Sequence, residues 1–203
     1  MFFKKWLPVL FGLFLATSQT VWAATSVADT VNPHTGIHIN ARDAYEMKTA
    51  RPDHVILLDV RTRAEIHHNG IADAVDANIP YRFETTEWKM KKDGIHGTFR
   101  MVKNPDFAAA VKNLVRHRNL TQDTPIIIMC KGGIRGPWAA KALYKAGFTQ
   151  VYTQVEGFEG KKAEEGPYKG KRVVNGWKNE GLPWSYNLLP EKMYFNFAPK
   201  KPE

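Results

Sequence analysis

Cys130 is the only cysteine in the chain, and it follows the apolar run Ile126-Ile127-Ile128-Met129. Such a run, apolar at every position, suits a strand buried on both faces of a parallel sheet, with Cys130 at its carboxyl end. Gly132 and Gly133 come next and allow the chain to curl tightly and turn its N–H groups inward, which makes an anion cradle of residues 131–135. Pro137 fits a first helical turn, and Ala139, Ala142, Leu143 and Ala146 continue at helical spacing as far as Gly147, a natural stop. A helix that starts there aims its unpaired N–H groups and the positive end of its dipole at the sulfur. Lys131 and Arg135 add charge, and these surroundings favour thiolate over thiol. A free cysteine can also serve as a small buried hydrophobe. That role accounts for neither the glycine pair, nor the two cations, nor the helix start, so the residues point to a nucleophile.

Cys130, four intervening residues and Arg135, set between an apolar strand and a helix, resemble the active-site loop of single-domain rhodanese-like sulfurtransferases. Dual-specificity phosphatases of related fold have one residue more between cysteine and arginine, so the shorter loop implies a single sulfur atom rather than a phosphoryl group. Gly136 departs from the pattern, since many relatives carry serine or threonine there. The segment Leu58-Asp59-Val60-Arg61-Thr62-Arg63-Ala64-Glu65-Ile66 resembles the family's other signature, a strand ending in Asp-Val-Arg that leads into a short helix. The resemblance assigns Asp59 and Arg61 to hydrogen bonds that support the active site. It continues through Glu156-Gly157-Phe158-Glu159-Gly160, a glycine-rich turn, to the segment 176–184, which resembles the family's closing helix and its Gly-Leu-Pro exit. In all it spans about Ile37 to Trp184.

The resemblance implies a sulfurtransferase in which the Cys130 thiolate takes the outer sulfur of a small anionic donor such as thiosulfate and hands it to a thiol or cyanide acceptor. Lys131, Gly132, Gly133, Ile134 and Arg135 would bind the donor. Lys131 and Arg135 would hold its oxyanion, with the planar fork of Arg135 making the stronger grip. No cofactor is needed, because the persulfide is itself the carried group. A persulfide carrier or binding module that docks to a secreted partner fits the same residues, and turnover with free cyanide or small thiols separates the two.

These residues need a scaffold that holds strand ends together. Alternating apolar runs and helical patterns predict an α/β domain with a mainly parallel central sheet and helices on both faces, the ligand site lying outside the carboxyl ends of the strands. Ile37 to Ile39 reads as a short edge strand, Asn40 with Asp43 as a helix start, and Val55 to Leu58 as a second buried strand ending at Asp59. Phe107, Val111, Leu114 and Val115 share one face of a helix opened by Asn104-Pro105. The polar, aromatic and glycine-punctuated stretch from Tyr81 to Met101 reads as a covering loop. Lys161 to Asn175 reads as a surface excursion, and the aromatics of the C-terminal segment are expected to pack back on the domain.

Lys4 and Lys5, an apolar run from Trp6 to Ala16, and small residues through Ala23 form a secretory leader pattern, too short in its apolar part for a membrane span. The expected organisation is therefore a signal peptide over 1–23, a linker over 24–36, a rhodanese-like domain over 37–186 and a C-terminal tail over 187–203. The mature protein is expected in the periplasm with no membrane attachment. The formal charge of +9 falls to +7 when Lys4 and Lys5 leave with the leader. The lysines are scattered without a nucleic-acid motif and read as solvated faces that attract anions. His67 and His68 are adjacent on a helix and point different ways, so no metal site is expected.

Overall fold

A computed structural model describes residues 35–200; the leader over 1–23 and most of the linker lie outside the described residues. The chain runs β1 (Ile37–Ile39), α1 (Ala41–Ala50), β2 (Ile56–Asp59), α2 (Arg63–Asn69), β3 (Ile71–Ala72) and β4 (Ala77–Asn78). It continues with β5 (Arg82–Met90), β6 (Gly97–Lys103), α3 (Phe107–His117), β7 (Ile126–Met129), α4 (Gly136–Lys145), β8 (Val151–Gln154) and β9 (Trp184–Ser185). Five strands make one parallel sheet in the order β1-β8-β7-β2-β4, with β7 at its centre between β2 and β8. This is the α/β architecture expected from the alternation of runs.

The uniformly apolar strands are explained by their two covered faces. Along β2 and β7, Ile56, Leu58, Ile126 and Ile128 point into a core shared with Phe107, Val111 and Leu114 of α3 and Ala139 and Leu143 of α4. Leu57, Ile127 and Met129 point the other way, into a core with Ala41 and Ala44 of α1, Phe158 and Trp177. Alternate residues thus serve opposite layers, and a polar residue at any of these positions would be buried without a partner. The helix starts are set by local chemistry. Asn40 accepts from Asp43 N at 2.8 Å to cap α1, while Thr62 and Glu65 form a reciprocal capping box on α2.

Two expectations change. Tyr81 to Met101 is no irregular loop: β5 and β6 form an antiparallel ribbon closed by a turn at Asp93-Gly94, where Asp93 Oδ1 accepts from the N–H groups of Ile95 and His96. Alternation drives it, since Trp88 and Phe99 stack edge to face at 5.4 Å on one side while Glu87 and Arg100 pair at 2.9 Å on the other. The stretch 176–184 is a single turn rather than a helix. Gly176 and Gly181 have φ of +98° and +68°, which ends helical geometry at both sides of it. Between them the indole of Trp177 is fully buried and donates to Pro183 O at 2.9 Å.

The C-terminal segment packs back on the domain. Phe197 is buried in the core beside α3, Asn113 donates to its carbonyl at 3.2 Å, and Met193 bridges to Asn78 of β4. Among the described residues no helix is long and apolar enough to cross a membrane.

Candidate active site

Cys130 stands one residue past the end of β7, 1% exposed, at the carboxyl edge of the parallel sheet. None of the backbone N–H groups from Lys131 to Gly136 donates to a backbone carbonyl among the described residues. These six consecutive residues follow a buried sulfur and lead into the ten-residue helix α4, whose N-terminal end adds positive potential there. The loop is held from behind: Cys130 O accepts from Phe158 N at 2.7 Å and Lys131 O from Glu159 N at 2.9 Å. Gly133 has φ of +86°, and a Cβ there would lie 1.9 Å from Val155 O, so the loop closes this tightly only with glycine.

Gly136, the departure from the family pattern, has a local reason. A Cβ at that position would lie 2.4 Å from Thr153 Cγ2, so the methyl group of Thr153 takes the space a serine would use. Gly136→Ser should therefore destabilise the fold by about 1–3 kcal/mol through overpacking. Adding Thr153→Ser should recover most of that loss, because it deletes the methyl and keeps the hydroxyl that donates to Thr35 O at 2.8 Å. Urea midpoints of the single and double variants check it; equal losses in both would mean that Thr153 is not the obstacle.

Lys131 and Arg135 occupy different situations. The guanidinium of Arg135 is held by Glu65 of α2 through two hydrogen bonds of 2.7 and 2.6 Å, so its fork is already engaged inside the protein. Lys131 is more open, with Nζ at 3.5 Å from Glu159 Oε2. Ile134 is 77% exposed in the loop, and Trp138, in the first turn of α4, is 56% exposed. Both carry apolar surface in solvent within eight residues of Cys130.

Burial alone would raise the Glu65 pKa. Hydrogen bonds from Arg135, its charge, the Thr62 N–H and the charge of Lys131 outweigh that and hold the carboxyl below the usual glutamate range. For Arg135 burial opposes the charge, but Glu65 prevails and raises its pKa, with Cys130 and Asp59 adding in the same direction. A carboxylate depressed in the folded state stabilises above its ordinary pKa, about 4.3, and that contribution is lost as pH falls through the folded value. Glu65→Gln should cost about 1.5–3 kcal/mol at neutral pH, the size of charged hydrogen bonds. The gap between parent and variant should narrow in acid, as denaturant melts at pH 7 and below pH 4 would show.

Asp59 and Arg61 lie beneath the site with fully buried side chains. Arg61 Nη2 reaches Asp59 Oδ2 at 2.7 Å and Gly70 O at 2.8 Å, and Nε sits 3.1 and 3.0 Å from the two carboxylate oxygens. The guanidinium lies 3.9 Å from the ring centroid of Phe158, the residue whose N–H holds the Cys130 carbonyl. The pair is thus linked to the sulfur through one aromatic residue.

Glu65 and Glu159 adjoin the loop without a site role expected from the sequence. Glu65 carried a local signal, the Thr62 to Glu65 capping-box spacing, which places a carboxylate at the start of α2; its partner, 70 positions away, carried none. Among the described residues no group of three or more His, Cys, Asp or Glu side chains converges on a metal position.

Residues 40–164 match the rhodanese-like domain family. Uncharacterized protein RC0915 of Rickettsia conorii and the RP600 homolog of Rickettsia rickettsii are each 26% identical over 149 residues, 73% of this chain and 97% of theirs. The crystal structure of Rv0390 from M. tuberculosis superposes with a TM-score of 0.54 at 28% identity, over 75% of this chain and 99% of that one. With the cysteine loop at the carboxyl end of the central strand, the Asp-Val-Arg strand end beside it and the match over residues 40–164, the chain belongs to the rhodanese-like domain family of sulfur-transfer proteins.

Proposed function

We propose that the protein is a sulfurtransferase that carries sulfane sulfur on Cys130 from a small anionic donor of the thiosulfate type to a thiol or cyanide acceptor. The observation that carries this reading is a buried cysteine at the carboxyl end of the central strand, followed by six N–H groups without backbone acceptors among the described residues and then by a helix start. In the first step Cys130 Sγ, as thiolate, attacks the outer sulfur of thiosulfate. The S–S bond of the donor breaks, and its electron pair leaves on sulfite. The loop N–H groups and Lys131 stabilise the charge that gathers on the two sulfur centres, and the new persulfide stays in the cradle. In the second step an acceptor thiolate or cyanide attacks the outer persulfide sulfur and returns the Cys130 thiolate, so no net redox agent is consumed.

Incubation with thiosulfate followed by intact-mass measurement tests this, with one added sulfur atom per chain mapped to the Cys130 peptide as the expected result. Absence of the adduct with thiosulfate and with several other sulfane donors would sink the reading and leave the fold untouched. The exposed Ile134 and Trp138 favour a second reading of the acceptor side, a carrier that gives its sulfur to a partner protein docked on these apolar side chains. Rapid turnover with cyanide or small thiols would oppose it. The leader pattern over 1–23 supports export, with the periplasm as the proposed site of action.

A further inference from the structure

Five charges alternate around the cysteine loop. Arg135 pairs with Glu65, Lys131 stands between Glu65 and Glu159, and Arg172 closes the row beside Glu159. Arg172 comes from the 161–175 excursion, where its segment bridges to Lys162. Its Nη1 donates to Gly160 O, and a Cβ on Gly132 would lie 2.5 Å from that nitrogen. The guanidinium therefore sits against the wall of the sulfur cradle, at a position the family signatures leave unassigned.

The two carboxylates of this row are held very differently. Glu65 is locked, with both oxygens bound to Arg135 at 2.7 and 2.6 Å and a backbone N–H besides. Glu159 keeps one firm hydrogen bond, from Asn69 Nδ2 to Oε1 at 2.8 Å. Its other oxygen faces Lys131 Nζ at 3.5 Å and Arg172 Nε at 4.0 Å, both beyond strong hydrogen-bond distance. Two cations, side chains 37% and 27% exposed, thus share one loosely held oxygen at the edge of the site. Such an oxygen is exchangeable for that of an incoming anion.

We propose that Glu159 is a resident counter-anion for Lys131 and Arg172, and that a dianionic sulfur donor competes with it for these cations, so that Glu159 and Arg172 set which donors Cys130 accepts. This rests on the sulfurtransferase reading and adds a donor-charge filter to it. The consequence has an unusual sign: neutralising an acidic residue should improve use of the natural class of donor. A residue that merely braced the loop would give the opposite, with every substitution weakening every donor.

The experiment compares the parent with Glu159→Gln, Arg172→Gln and Arg172→Lys on two donors of like chemistry and unlike charge, thiosulfate as the dianion and methanethiosulfonate as the monoanion. Both deliver the outer sulfur to the Cys130 thiolate, releasing sulfite in one case and methanesulfinate in the other. Glu159→Gln should lower KM for thiosulfate roughly fivefold, the effect of one partly exposed charge pair, and Arg172→Gln should raise it by about as much. Arg172→Lys should return near the parent value. Changes in kcat should stay within about twofold, and each KM shift should be smaller for methanethiosulfonate, whose charge is halved. Sulfite, a dianion like thiosulfate, should inhibit Glu159→Gln more strongly than the parent. A parent that takes sulfur from neither donor overturns the sulfurtransferase reading and this inference with it. A parent that does take sulfur, with Glu159→Gln and Arg172→Gln both raising KM, or with both donors shifting equally, overturns the charge filter alone.

Discussion

Cys130→Ser should remain folded and lose thiosulfate turnover by more than about a thousandfold. The size follows from the absence of a base. Cysteine sulfur is intrinsically a strong nucleophile, whereas a serine hydroxyl needs a neighbour to take its proton. The carboxylate bonded to the loop arginine, Glu65, cannot do so, because Arg135 binds both of its oxygens and holds it below the usual range. Glu159 is bound to Asn69 and faced by two cations. Nothing in this set converts a hydroxyl into a nucleophile, so the loss should approach that of deleting the nucleophile outright. Stability should change far less. The side chain is 1% exposed within a core that includes Ile128 and Ala139, and burying a hydroxyl there costs about 1–3 kcal/mol at most, lessened where loop N–H groups donate to it. Thiocyanate production and a urea melt of the same sample measure both. Substantial turnover by the serine variant would move the chemistry to another residue.

The parts of this site that could be read from sequence are those encoded by local rules. A run of four apolar residues before Cys130 specifies a strand covered on both faces, and β7 is buried at every position. Asn40 and Pro137 mark helix starts because capping and proline geometry act within one turn. What escaped is set by contacts across the fold. Arg135 reads in isolation as a free fork for an oxyanion, yet a glutamate on another helix occupies it. The ribbon of β5 and β6 was hidden by its composition: charged and aromatic residues suggest a loop, while their alternation, with Asp93-Gly94 between the two halves, is a strand pattern. The single turn at 176–184 resembles a helix in its residues, but Gly176 packs against Gly160, where a Cβ would lie 2.6 Å from its Cα. That tertiary approach breaks the helix, and it has no local signature.

Arg61→Ala and Asp59→Ala should each destabilise the protein by about 3–5 kcal/mol, because each leaves one fully buried charge without its partner. For a domain of this size that is a fall in melting temperature of roughly 6–20 °C. The pair itself is not a strong net source of stability, since both side chains are completely withdrawn from water and Arg61 Nη1 has no hydrogen-bond acceptor among the described residues. Removing both charges at once, as Asp59→Leu with Arg61→Met, should therefore cost less than either single change. Full recovery is not expected, because Asp59 Oδ1 also accepts the backbone N–H of Arg61 at 2.9 Å, and Arg61 also donates to Gly70 O. A cycle built from Asp59→Leu, Arg61→Met and the two together should give a large favourable coupling between the two residues. Sulfur transfer offers a separate readout. The guanidinium stacks on Phe158, and Phe158 N holds the Cys130 carbonyl, so the double variant should regain more stability than activity. If its activity returned in full, the stacking of Arg61 on Phe158 would have no part in aligning the sulfur; single variants that lose less than about 1 kcal/mol would show that water reaches the pair.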